Sequence, residues 1–109
     1  MDLNNIKMNV IKTAPNGKVG IDTIFEFTQY KDTVSAKYSG GRIQIGYLVG
    51  KMNGDKLVFR YSQMDNDGNL DGGISECILR MNENKIQLVE SFTWESIEGE
   101  GTNIFQEVQ

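Results

Sequence analysis

Apolar and polar side chains alternate at every second position along most of this chain, and turn-forming residues interrupt the alternation about every ten to twelve positions. A period of two belongs to a half-buried strand, because successive Cβ atoms point to opposite faces of a sheet. The interruptions come too often to leave room for the helical crossovers of βαβ units. The alternation predicts strands near Ile6–Thr13, Gly20–Tyr30, Thr33–Tyr38, Arg42–Lys51, Lys56–Met64, Gly73–Met81, Lys85–Trp94 and Thr102–Val108, and no helix.

The joints carry turn chemistry: Pro15-Asn16-Gly17, Lys31-Asp32, Ser39-Gly40-Gly41, Asn53-Gly54, Asp67-Gly68-Asn69 and Asn82-Glu83-Asn84. Asn53-Gly54 predicts a hairpin whose two central residues both have positive φ. Short turns make consecutive strands antiparallel neighbours, and an open meander would leave two unpaired edges. Pairing the first strand with the last removes both. The expected fold is therefore all-β, an eight-stranded antiparallel up-and-down meander barrel forming one domain over residues 1–109. An open bent sheet or a flattened sandwich is the alternative.

Strand parity then assigns faces. Ile21, Thr23, Phe25 and Phe27 fall on the inner face, followed by Val34, Ala36 and Tyr38, then Ile43, Ile45 and Tyr47. Leu57, Phe59 and Tyr61 continue it, with Cys77, Leu79, Ile86, Leu88, Phe92, Trp94 and Ile104. Such an interior is either a filled core or the wall of a pocket. Two polar residues share that face: Gln63, after Tyr61, and Glu90, between Leu88 and Phe92. A buried carboxyl needs hydrogen-bond partners, for which Tyr38, Tyr47, Tyr61 and Gln63 are candidates, and burial would raise its pKa. The ligand-binding set read from the sequence is Tyr38, Tyr47, Phe59, Tyr61, Gln63, Glu90, Phe92 and Trp94. Ile24, Tyr30, Leu48, Val58, Ile74, Ile78, Val89 and Phe105 fall on the outer face, and this predicts a homo-oligomer, a dimer first of all.

Composition narrows the chemistry. The chain has no histidine, which removes Ser-His-Asp and Cys-His nucleophile systems and imidazole metal sites. Cys77 is the only cysteine, so it forms no internal disulfide, and with no activating histidine it reads as a small core residue. No catalytic residue, metal or cofactor is assigned. The net charge of −4, with 11 scattered Lys and Arg, argues against nucleic acid as a partner. No run approaches the roughly 20 apolar residues that cross a bilayer, and Met1 to Val10 lacks the pattern of a secretory signal, so a cytoplasmic protein without a membrane partner is expected.

Three local patterns resemble sites and fail on inspection. Asp65, Asp67, Asn69 and Glu76 match ligand positions of a calcium loop, but Leu70 stands where that loop requires glycine and the flanks read as strands. A solvated acidic turn is the simpler reading. Ser39-Gly40-Gly41 precedes no helix that could present its N-terminus to phosphate. Glu95, Glu98 and Glu100 fall in the longest loop, which lacks the rigidity that paired glycosidase carboxylates need.

The segments Thr23-Ile24-Phe25, Tyr38-Ser39-Gly40-Gly41 with Ile43, Gly46-Tyr47-Leu48-Val49-Gly50 and Arg60-Tyr61-Ser62-Gln63 form a larger pattern. It continues through Gly68-Asn69-Leu70, Gly73-Ile74-Ser75, Ile86-Gln87-Leu88, Trp94 and Gly101-Thr102. The pattern resembles a family of small bacterial proteins with avidin- or lipocalin-type barrels, often labelled N-acetylglutamate synthase. The resemblance covers nearly all of the chain after about residue 20. It implies an avidin- or lipocalin-type barrel and, through the label, an acetyltransferase activity. The family's histidines near Tyr47 and Gln63 are absent, and Cys77 lies later than the family cysteine, so no catalytic residue carries over.

Three functions follow in order. The first is a non-enzymatic barrel holding a small, partly apolar ligand. The second is a packed barrel whose outer face binds a protein or a second copy. The third is the acetyltransferase of the label, which would need a pyrophosphate loop before a helix. An interior cavity of about 300 Å³ or more would favour the first over the second, and a filled interior would remove the first.

Overall fold

The computed structural model describes residues 2–15, 17–94 and 100–108, with the side chains of 92–94 and 100 outside that description. Its strands are β1 (Lys7–Lys12), β2 (Ile24–Tyr30), β3 (Thr33–Gly40), β4 (Ile43–Asn53), β5 (Lys56–Asp65), β6 (Leu70–Asn82), β7 (Lys85–Trp94) and β8 (Glu100–Glu107). No helix occurs among the described residues. Each strand pairs antiparallel with its successor, and β1 also pairs with β8 (Asn9 opposite Gln106, Val10 opposite Phe105), so the sheet closes into an up-and-down barrel. Closure leaves no strand edge unpaired. The meander barrel expected from the alternation is the fold observed.

One end of the barrel is closed by tight turns and by the N-terminal segment. Asn53 pairs with Lys56, so Gly54-Asp55, not Asn53-Gly54, are the central turn residues. Only Gly54 there has positive φ, 64°, which is the Gly-X pattern of a type II′ turn. The doubly positive pattern occurs instead at Glu83 (50°) and Asn84 (67°), between β6 and β7. Leu3 folds back into this end and is fully buried in the core. Its amide donates to Gln29 Oε1 at 3.0 Å, and Asn5 donates its amide to Phe27 O at 3.0 Å. An apolar side chain thus plugs the barrel while the backbone that carries it stays hydrogen-bonded, as burial requires.

Strand β2 begins at Ile24 because residues 20–23 form a turn. Thr23 donates its amide to Gly20 O at 3.0 Å, and Gly20 donates its amide to Thr23 Oγ1 at 3.1 Å. Ile21, expected on the inner face, is 65% exposed as a result. Thr23 remains buried.

A bulge in β4 changes the face assignment beyond it. Ile43 pairs with Asp65 and Ile45 with Met64, so β4 uses one more residue than β5 and its parity reverses. Gly46, Leu48 and Met52 turn inward, while Tyr47 (55% exposed) and Val49 turn outward. The expected inner Tyr47 and outer Leu48 therefore exchange sides. In β8 a similar exchange places Asn103 and Phe105 inside and leaves Ile104 half-buried on the other face.

The reversal gives two glycines a packing role. A Cβ on Gly46 would meet Cε2, Cζ and Cε1 of Tyr38, its partner on β3. One on Gly50 would meet the backbone of Val58 and the Cβ of Phe59, its partner on β5. Gly46 therefore makes the space that the Tyr38 ring fills, and Gly50 allows the close approach of the β5 backbone at Val58 and Phe59.

Candidate functional site

The other end of the barrel carries the longest described connection, residues 13–15 and 17–23 between β1 and β2. It crosses the mouth as a strap tied to distant strands. Lys18 Nζ pairs with Asp65 Oδ2 at 3.0 Å and with Asp71 Oδ2, joining the strap to the β5–β6 hairpin. Ala14 donates its amide to Asn103 Oδ1 on β8 at 3.0 Å, and Thr23 Oγ1 donates to Gly40 O on β3 at 3.1 Å.

Asp65 organises its own turn as well. Its Oδ1 accepts from the amides of Asp67 and Asn69, both at 2.9 Å, and its Oδ2 accepts from Asn69 Nδ2 at 3.1 Å. The backbone and side chain of Asn69, followed by Lys18, hold the Asp65 carboxyl well below the usual carboxylate range. The turn itself, residues 66–70, is exposed as expected, but Asp65 and Asp71 at its two ends are buried and paired with Lys18. Lys18 itself is held protonated above the ordinary lysine range, by Asp71 first and then Asp65. Among the described residues, no cluster of three or more acidic or thiol groups could hold a metal ion.

Beneath the strap lies a pocket roofed by Gly17, Lys18 and Val19 and walled by Phe25, Tyr38, Phe59, Tyr61 and Phe105. Its polar lining is Gln63, Glu90 and Asn103. Phe25 stacks on Tyr38 with centroids 4.2 Å apart and meets Phe105 edge-on at 4.6 Å. Phe59 meets Tyr61 edge-on at 6.1 Å. The cavity is about 20 Å³. A single water needs about 10–15 Å³, so aromatic side chains fill most of the interior and the 300 Å³ criterion is not reached with the strap in this position.

Glu90 lies at the centre of the polar lining, 4% exposed. Its Oε2 accepts from Ser75 Oγ at 2.7 Å and its Oε1 accepts from Asn103 Nδ2 at 2.8 Å. Asn103 thus links the carboxyl directly to the strap backbone at Ala14. Burial pushes the Glu90 pKa up, against the opposing effect of the two hydrogen bonds. The partners expected from the sequence, Tyr38, Tyr47, Tyr61 and Gln63, are not those observed. Tyr38 instead donates its hydroxyl to Gln63 Oε1 at 2.8 Å. Burial, and then the nearby Glu90 charge, pushes the Tyr38 hydroxyl far above its ordinary range. Gln63 is 3% exposed, and its Nε2 has no hydrogen-bond partner among the described residues.

Of the residues selected from the sequence, Tyr38, Phe59, Tyr61, Gln63 and Glu90 come together around this pocket. Tyr47 lies outside the barrel, for the reason given by the β4 bulge. The side chains of Phe92 and Trp94, and the Glu95, Glu98 and Glu100 carboxyls, lie outside the described residues. Sequence reasoning missed Lys18, Ser75 and Asn103. Lys18 sits in a non-periodic segment and meets its carboxylates only across the barrel. Asn103 left one signal, a polar residue in phase with Phe105, which a parity centred on Ile104 hides.

Comparison with curated proteins and with solved structures gives no significant match. A family model described as avidin-like protein matches residues 1–108. With an eight-stranded antiparallel barrel closed by its first and last strands, the chain belongs to this avidin-like family.

Proposed function

We propose that this protein binds a compact, partly apolar small molecule in the mouth of its barrel, under the β1–β2 strap, with no chemical conversion. The observation that supports this most directly is Gln63: a buried amide whose Nε2 lacks a partner among the described residues, on a wall built largely from aromatic rings. A buried donor left unsatisfied costs about 1–3 kcal/mol, and a ligand acceptor would recover it. Apolar walls with a few convergent polar groups are the general composition of small-molecule sites. Membership of an avidin-like family is consistent with ligand binding. The cavity has room for little more than one water with the strap in this position, so a larger ligand, the organic ammonium considered below included, enters only as the strap moves. The strap is the wall best suited to move, because side-chain contacts rather than a strand ladder tie it across the mouth. Tyr38, Phe59, Tyr61, Gln63 and Glu90 are the proposed contacts.

Ligand-observed NMR against a library of small cationic, anionic and neutral metabolites tests this reading, with Gln63→Met as a control that removes the amide and keeps the volume. Ligands that bind the native protein and lose at least about tenfold in affinity, or about 1.4 kcal/mol, in the variant are the expected result. A library without binders, or binders indifferent to Gln63→Met, overturns it.

A second reading rests on the outer face. Val49, Arg60 and Ile74 lie opposite one another across β4, β5 and β6, with Tyr47 and Ile78 also exposed on these strands. We infer that this strip pairs with a second copy of the chain. Light scattering coupled to size exclusion should show a dimer that dissociates in Ile74→Lys; a monomer at micromolar concentration removes the reading.

A further inference from the structure

Glu90 is buried beside aromatic rings, and its hydrogen-bond partners among the described residues are neutral. Both oxygens accept from uncharged donors, Ser75 and Asn103, and no lysine or arginine pairs with it among the described residues. An ionised carboxylate in such a place costs several kcal/mol unless a counter-charge arrives. The aromatic walls supply the other half of a cation site. The negative faces of Phe and Tyr attract ammonium groups, and the attraction is stronger where water is excluded. At the mouth, the Lys18 ammonium faces two carboxylates, Asp65 and Asp71, so this cluster carries one net negative charge.

We propose that the pocket selects a compact organic ammonium, primary or methylated, seated against the aromatic walls with Glu90 as its counter-charge and an oxygen acceptor directed to Gln63 Nε2. This rests on the small-molecule reading above and names its ligand class. Burial favours the protonated form of Glu90, and a cation beside it favours the ionised form, so at a pH where Glu90 holds its proton, binding ionises Glu90 and releases that proton. The groups facing Glu90 across the interior are Cys77, opposite it on β6, Tyr38 on β3, Tyr61 on β5 and Lys18 in the strap. Burial raises Cys77 and Tyr38, and Lys18 is held protonated, so these three keep their charge state while Glu90 titrates. Affinity for the cation therefore increases with pH until Glu90 is ionised in the free protein.

Choline and its uncharged carbon isostere dimethylbutanol are suitable probes, titrated calorimetrically from mildly acidic to mildly basic pH in buffers of different ionisation enthalpy. Choline is expected to bind at least about tenfold more tightly than the isostere, to release a proton at low pH, and to gain affinity as pH increases. Glu90→Gln should abolish the preference of choline over the isostere and the proton release that accompanies choline binding. Should that variant fail to fold, proton release by the native protein carries the test alone. Equal or tighter binding of the isostere, or choline binding without proton release, overturns the cation assignment and leaves the small-molecule reading standing. If neither probe binds, the cation assignment falls, and the library experiment above then decides separately whether the pocket binds any small molecule.

Discussion

The ring of Tyr38 occupies the space that a side chain at Gly46 would need, so that even one methyl group there meets three of its ring atoms. The two residues face each other on β3 and β4. Their fit sets the position of the Tyr38 hydroxyl, which donates to Gln63 at the pocket wall.

Gly46→Ala tests that fit. The added methyl must displace the ring or spread the strands, and overpacking of this kind costs about 1–3 kcal/mol. Urea unfolding should show the loss, and the Tyr38 ring resonances should shift. Unchanged resonances would show that the ring does not depend on the missing side chain.

Leu3→Ala tests the plug at the opposite end. Leu3 is fully buried, and truncating such a leucine costs about 2–5 kcal/mol. The midpoint of urea unfolding should fall accordingly. Binding at the distant mouth should be unaffected in the folded protein. A loss below about 0.5 kcal/mol, the size of a surface substitution, would mean that the N-terminal segment is not part of the core in solution.

Lys18→Met tests the strap. The variant keeps the aliphatic stem but removes the pairs to Asp65 and Asp71, so residues 14–20 should open more often while the ladders persist. Hydrogen exchange at the Gly17 and Gly20 amides, which are bonded to Ala14 O and Thr23 Oγ1, should speed up relative to strand amides. Uniform acceleration across all strands, or none in the strap, would contradict the latch.

Stability should depend on pH through two carboxyls of opposite sign. Asp65 has a lowered folded pKa, so its contribution is complete above the ordinary aspartate range and is lost as pH falls through the folded value. Glu90 has a raised folded pKa: the folded state holds the proton more tightly, and stability declines as pH increases from the ordinary glutamate range through the folded value. Asp65→Asn should flatten the acid limb and Glu90→Gln the other. Chemical denaturation across pH reads both slopes, and a Glu90→Gln protein with the native slope would place that carboxyl in solvent.

Much of the barrel was legible because strand alternation is a local property. Phe25, Phe27, Val34, Leu57 and Leu88 stand in phase with their neighbours, and their burial follows from that phase. Tyr47 shows the limit of such reading. It belongs to the same apolar run as Ile43 and Ile45, but one residue without a counterpart on β5 reverses every later side chain. The bulge is a property of the strand pair, so β4 read alone cannot reveal it. Ile104 and Phe105 pose the same problem: adjacent apolar residues fit either phase, and only pairing with β1 and β7 selects one.

The candidate site divides along the same line. Glu90 and Gln63 could be identified as inward polar groups because each interrupts an apolar series on its own strand. Their partners could not, since Ser75, Asn103 and Tyr38 come from three other strands. Period, turn residues and the absence of histidine, all short-range or compositional, determined an all-β meander with no imidazole chemistry. The bulge, the Lys18 latch and the neutral surroundings of Glu90 were decided only when the barrel closed, because each depends on the distance between residues that the chain itself holds far apart.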